Sequence, residues 1–183
     1  QTLPELAQTR AENIINQPLR FKFPKGFSGA LPVPKSKKIK AAVLREKGSN
    51  SEREMAYVMD LCGFEVRDVH MTDLVEGRET LEDIQLLVAV GGFSNSDVLG
   101  SAKGWAGSIK YNPKAQKAVT AFFKRNDTLS LGVCNGCQLF VELGLLTPEK
   151  SEKPKMLHND PGKFECIFSA VTIQESTAIM MQG

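Results

Sequence analysis

Two short apolar runs constrain this chain most: LLVAV at residues 86–90 leads into Gly91-Gly92, and TLSLGV at 128–133 leads into Cys134-Asn135-Gly136. LLVAV stays apolar instead of alternating, as strands buried on both faces of a parallel sheet do, and TLSLGV reads as another buried strand. Parallel neighbours need long crossovers, and the sequence provides them. IKAAVLR (39–45) is a β-branched and apolar strand. It is followed by SNSEREMAYVMDLCG, where Ser51-x-x-Glu54 reads as a capping box, Met55, Val58, Met59 and Cys62 form an apolar face, and Gly63 is a stop. FEVRDVH (64–70) alternates as a further strand, Asn112-Pro113 opens a helix through Phe123, and QLFVELG is a helix ending at Gly144. The expected fold is α/β: an open, mostly parallel sheet with helices on both faces, whose ligands sit beyond the carboxyl ends of the strands. After a polar loop at 146–163, FECIFSAVTIQ again has strand character.

Composition excludes more than it selects. Lys and Arg number 23 against 21 Asp and Glu, so a net charge of +2 gives no broad pull toward nucleic acid or an anionic membrane. No apolar run approaches the roughly 18 residues of a membrane span, and the first residues lack the layout of a signal peptide. A cytoplasmic chain with reduced thiols is expected, because Cys62, Cys134, Cys137 and Cys166 are too few for a disulfide scaffold. Residues 1–38, rich in Pro, Gly and Lys after a short helical start, read as a tail or linker, and residues 39–183 as one domain. The chain stops soon after an apolar run with no closing helix, so the domain is expected to be incomplete at its C-terminus.

The pair Cys134-x-x-Cys137 admits three chemistries. A structural zinc site needs four ligands, and Cys62, Cys166, His70 and His158 are too scattered to complete one, so no metal is expected. A redox pair also sits between strand and helix, and the flanks argue against it. Gly132-Val133-Cys134-Asn135-Gly136 has the form Gly-x-nucleophile-x-Gly, the cysteine counterpart of the strand-to-helix elbow of α/β hydrolases. Cys134 would then project at the top of the sheet, where a helix N-terminus favours its thiolate and the Asn135 amide faces a developing oxyanion. Cys137, one turn on, would face the packing side as an inert thiol. Gly91-Gly92-Phe93, at the end of another strand, can bring a second backbone amide close to a substrate.

Three separated blocks carry a family resemblance: LREKGSNSEREMAYVMDLCGFEVRDVHMTDL, GGFSNSDVLGSAKGWAGSIKYN and LGVCNGCQ. From about Lys40 onward the chain resembles the glutamine amidotransferase part of the formylglycinamide ribonucleotide amidotransferases, or phosphoribosylformylglycinamidine synthases, of purine biosynthesis, in their large single-chain form. The resemblance implies a flavodoxin-like fold and a glutaminase that passes ammonia to an ATP-dependent synthetase region of the same parent chain. No cofactor is implied in this chain; ATP and Mg2+ belong to the synthetase part. The partners implied are glutamine and that synthetase region, with neither nucleic acid nor membrane. Cys134 would be the nucleophile that forms a glutamyl thioester, and the backbone amides of Gly92, Phe93 and Asn135 the oxyanion donors. Gln138 would contact bound glutamine, as would Asn159 and Phe164 in LHNDPGKFE.

One part of the family pattern is missing. The general base and its partner form a His-x-Glu pair on a later strand, and no such pair occurs here; His70 precedes Met71-Thr72 and His158 precedes Asn159-Asp160. The pair is expected beyond Gly183. Alternatives from other classes are a flavodoxin-like cysteine hydrolase or redox sensor, and a binding module whose Cys134 is a core thiol. Trp105 either covers local core or faces the synthetase region.

Overall fold

The computed structural model describes residues 2, 4, 5, 8, 9, 22, 25, 26, 28–30, 39–148, 150–167, 171–176 and 178–181. The chain divides into two units, one of residues 30–158 and one of residues 1–29 with 159–183. In the first unit the order is β1 (Lys40–Arg45), β2 (Ser49–Asn50), α1 (Glu52–Leu61), β3 (Glu65–His70), α2 (Met71–Glu76), β4 (Leu86–Ala89) and β5 (Gly91–Gly92). A 3-10 turn (Ser94–Asp97), α3 (Lys103–Lys110), α4 (Pro113–Lys124), β6 (Leu129–Gly132) and α5 (Asn135–Glu142) follow.

Four strands form a parallel sheet in the order β3-β1-β4-β6, with Val43 opposite Asp68 on one side and Val88 on the other, and Ala89 opposite Gly132. The pleat then sorts the side chains. Ala42, Leu44, Val69, Leu87 and Ala89 point to the face covered by α2 to α5, where Leu74, Trp105, Ile109, Phe122 and Leu139 close the larger core. Ala41, Val43, Val88 and Val90 point to the other face and meet Met59 of α1. The expected α/β architecture with helices on both faces is what the chain adopts. Asn112 caps α4 as its sequence implies, its Oδ1 accepting from the Lys114 and Ala115 amides at 3.0 Å each.

Several local expectations are corrected. Ser51 forms no capping box: its φ of 70° turns the side chain away from the α1 amides, and its Oγ donates to the Asn50 carbonyl instead. Val58 lies on the exposed side of α1, and Ala56 joins Met55 and Met59 on the packed side. The α2 helix has no counterpart in the sequence reading. It is nucleated by His70, whose Nδ1 accepts from Thr72 N–H at 3.2 Å while Asp73 accepts from His70 N–H at 3.0 Å. SAKGWAGSIKYN contains a helix, and Trp105 is fully buried in the core. The 128–133 run forms a strand at the sheet's edge, not a buried one, with Leu129 half exposed.

In the second unit Pro4, Glu5, Gln8 and Thr9 are helical and Ile179–Met181 form a 3-10 turn. The expected strand across 164–174 is absent at residues 164–167 and 171–174, which are exposed and outside any ladder; residues 168–170 lie outside the described residues. An alternating apolar pattern selects which face of a strand is buried, but the strand also needs a sheet edge to pair with. Most of the expected linker, 10–21 and 31–38, likewise falls outside the described residues.

Candidate active site

β6 ends at Gly132, the Val133 amide bonds the Ala89 carbonyl at 3.0 Å, and the chain turns sharply into α5 at Cys134. Cys134 has φ 54° and ψ −111°, a conformation that L-residues other than glycine adopt rarely and at a cost of order 1–3 kcal/mol. The flanking glycines make that turn possible. A Cβ on Gly132 would lie 2.7 Å from the Gly136 carbonyl oxygen, and one on Gly136 would lie 2.1 Å from the Ala89 carbonyl oxygen. Helix α5 therefore sits directly on the ends of β4 and β6, with its first turn open around the thiol. Cys134 is exposed.

A second backbone wall stands against the thiol. β5 pairs antiparallel with β2, Gly92 opposite Ser49 and Gly91 opposite Asn50. Gly91 comes so close to the elbow that a Cβ there would meet Cys134 Cβ at 3.1 Å and Sγ at 3.7 Å. Gly92 has φ 96°, and its missing side chain is replaced by backbone, Asn50 N lying 2.6 Å from where a Cβ would be. Residues 46–50 hold this wall. Phe93 N–H donates to the Gly48 carbonyl at 3.0 Å, Asn95 N–H to the Lys47 carbonyl at 2.7 Å, and buried Glu46 accepts from Lys47 N–H at 2.8 Å. Residues 46–50 lie within one of the resemblance-carrying blocks, but the sequence reading gave them no role at the site. The signal was topological: β1 and β4 are neighbours, so the loops that follow them meet.

The expected site residues fall in both units. Gly92, Phe93, Cys134, Asn135 and Gln138 belong to the first unit and cluster around the elbow; of the three amides proposed as oxyanion donors, that of Phe93 is already engaged by Gly48. The phenyl ring of Phe93 is exposed. Asn135 is buried, its Oδ1 accepting from Ser94 Oγ at 2.6 Å and its Nδ2 donating to Gln138 Oε1 at 2.8 Å. Ser94 was not among the expected residues. Asn159 and Phe164 belong to the second unit, where Asn159 Nδ2 donates to the Lys163 carbonyl at 3.1 Å and Phe164 is exposed.

The other cysteines and both histidines take different places from the thiol. Cys137 is partly buried, not fully as expected, and Cys166 is exposed, so burial does not protect it. His70 caps α2 at the end of β3, three strands from β6, which at roughly 4.8 Å per strand is about 14 Å across the sheet. His158 is exposed on coil. Among the described residues no cluster of three or more His, Cys, Asp or Glu could hold a metal, and no helix is long and apolar enough to cross a membrane.

Known proteins resemble this chain in sequence and fold. The chain is 47% identical over 152 residues to a protein of Arabidopsis thaliana named "Probable phosphoribosylformylglycinamidine synthase, chloroplastic/mitochondrial", an alignment covering 80% of this chain and 11% of the plant protein. Its fold superposes on a chain of the structure of PurLQS from Thermotoga maritima with a TM-score of 0.56 and 30% identity, covering 72% of this chain and 53% of the other. The chain thus spans about a tenth of the plant protein and about half of the PurLQS chain. Residues 38–183, which include the elbow, the glycine wall and the whole parallel sheet, match the CobB/CobQ-like glutamine amidotransferase domain, and the chain belongs to that family.

Proposed function

We propose that this chain is the glutaminase part of a phosphoribosylformylglycinamidine synthase, supplying ammonia for the ATP-dependent amidation of formylglycinamide ribonucleotide in purine biosynthesis. The observation that carries the reading is the exposed Cys134 in a strained elbow, one wall of which is the side-chain-free backbone of Gly91-Gly92. In this reading the Cys134 thiolate attacks the carboxamide carbon of glutamine and the carbonyl π pair moves to oxygen. The amides of Gly92 and Asn135 stabilise that oxygen; Phe93 joins them if its bond to Gly48 opens. Collapse breaks the C–N bond, ammonia leaves with an added proton, and water hydrolyses the thioester to glutamate, restoring the thiol.

Neither His70, which is committed to a helix cap, nor His158, which is exposed on coil, is taken as the acid that delivers this proton. The partner is the synthetase region of a longer parent chain, reached through residues 1–38, with residues 39–183 as the amidotransferase domain. ATP and Mg2+ act in that partner region. A cytoplasmic location belongs to the same proposal and is supported by four free thiols.

The test uses the full-length protein. Cys134→Ala should abolish synthesis from glutamine and leave synthesis from ammonium chloride at raised pH largely intact, since amidation occurs at another site. Loss of both activities in a folded variant would contradict the ammonia-donor role.

A further inference from the structure

Asn135 is the first residue of α5 and adjoins an exposed nucleophile, yet its side chain is only 1% exposed. Its Oδ1 accepts from Ser94 N–H at 3.3 Å and from Ser94 Oγ at 2.6 Å; Ser94 is equally buried. A backbone N–H can only donate, which fixes the asparagine carboxamide with its oxygen toward Ser94. Nδ2 is therefore at the other end, and it too can only donate. The group facing it at 2.8 Å is Gln138 Oε1.

The consequence is carried one residue further. With its oxygen turned to Asn135, Gln138 keeps Nε2 free to donate, and Nε2 has no hydrogen-bond partner among the described residues. Gln138 follows Cys134 by one turn at the start of α5, its backbone N–H donating to the Cys134 carbonyl at 3.1 Å. Resting on the glutaminase reading, we propose that Asn135 is a positioning residue: through Ser94 it sets the polarity of the Gln138 carboxamide, so that Gln138 offers an N–H donor to an acceptor oxygen of bound glutamine. The relay also ties the elbow to the loop just after the Gly91-Gly92 wall. A carboxamide free to flip would present donor and acceptor alternately and lose that discrimination.

The experiment measures modification of Cys134 in the full-length protein by a chloroketone analogue of glutamine, expressed relative to the rate with iodoacetamide. The ratio removes any general change in thiolate reactivity. Asn135→Asp keeps shape and both bonds to Ser94 but places an acceptor opposite Gln138, which must then turn its NH2 inward and its oxygen outward. The ratio should fall about tenfold or more, the effect of one misdirected hydrogen bond to a ligand. In a Gln138→Ala background the same substitution should cost nothing further, because its effect passes through Gln138. Should the buried Asn135→Asp variant fail to fold, Gln138→Glu reverses the same polarity from a partly exposed position and should give the same loss. An unchanged ratio in a folded Asn135→Asp or Gln138→Glu protein, or independent multiplying losses in the double variant, overturns the proposal. Absence of any preference for the glutamine analogue in the unsubstituted protein overturns the glutaminase reading and this inference with it.

Discussion

Gly92→Ala should be among the most damaging single-methyl additions in the first unit. The backbone at Gly92 has φ 96°, and a Cβ there would stand 2.6 Å from Asn50 N and 2.9 Å from Ser49 C and Cα. The conformation alone costs an L-residue about 1–2 kcal/mol. Relieving the overlap requires β2 to move away from β5, which breaks the pairing at Ser49 and Gly92 and stretches the Phe93 to Gly48 bond of 3.0 Å. One or two backbone bonds add about 1–2 kcal/mol, for a total of about 3 kcal/mol. At about 2–4 °C per kcal/mol for a chain of this size, the melting temperature should fall by about 6–12 °C in a thermal unfolding scan followed by circular dichroism. Gly91→Ala is the control. Its added Cβ meets Cys134 Cβ at 3.1 Å, the Val133 carbonyl oxygen at 3.4 Å and Cys134 Sγ at 3.7 Å, none closer than 3.0 Å and at a φ that alanine tolerates, so its stability cost should be small. Its effect should fall on the thiol, slowing reaction with glutamine-shaped electrophiles. If Gly92→Ala melts within about 2 °C of the parent protein, the wall is not held by the β2 to β5 pairing and the reasoning fails.

Three further outcomes follow from the same geometry. Ser96 is exposed at φ 57°, so Ser96→Gly should stabilise by about 0.5–1 kcal/mol, measurable by urea denaturation. Asp83 has its carboxyl pulled down to about 2 by hydrogen bonds from Arg67 and then Lys40, so its stabilisation is present above pH 4 and fades as pH falls toward 2. Because Asp83 is 45% exposed, Asp83→Asn should cost about 0.5 kcal/mol or less at pH 7 and nothing near pH 2, as paired acid melts would record. The 183-residue chain by itself should release glutamate at least about 10²-fold more slowly than an intact amidotransferase, since His70 caps α2 and His158 is exposed on coil; comparable turnover would make one of them the base.

The legible parts of the fold were those written in local chemistry. Runs such as LLVAV and the Asn112-Pro113 cap fix strand and helix from neighbouring residues alone, and Gly132-x-Cys134-x-Gly136 fixes the elbow because only glycine fits between helix α5 and the strand ends. What escaped depends on distant partners. The α3 helix carries Gly104 and Gly107, which read as loop, while its buried stripe of Trp105, Ala106 and Ile109 acquires meaning only against the core. β2 and β5 are two residues each, too short for any period, and exist because β1 and β4 are neighbours. Ser51 looked like a cap by type, and its backbone angle decides otherwise. For the site, the candidate nucleophile and the glycine wall were visible in the sequence, whereas the Ser94, Asn135 and Gln138 relay links residues 41 positions apart and needed coordinates.

The proposed function turns on one step, the covalent attack of Cys134 on glutamine. The most direct measurement is acid quenching of the full-length protein during turnover with radiolabelled glutamine, followed by peptide mapping. A base-labile glutamyl adduct is expected on the peptide containing Cys134, localised to that thiol and absent from Cys134→Ala. A stable adduct on Cys62, Cys137 or Cys166, or undiminished glutamate release from a folded Cys134→Ala protein, would contradict it.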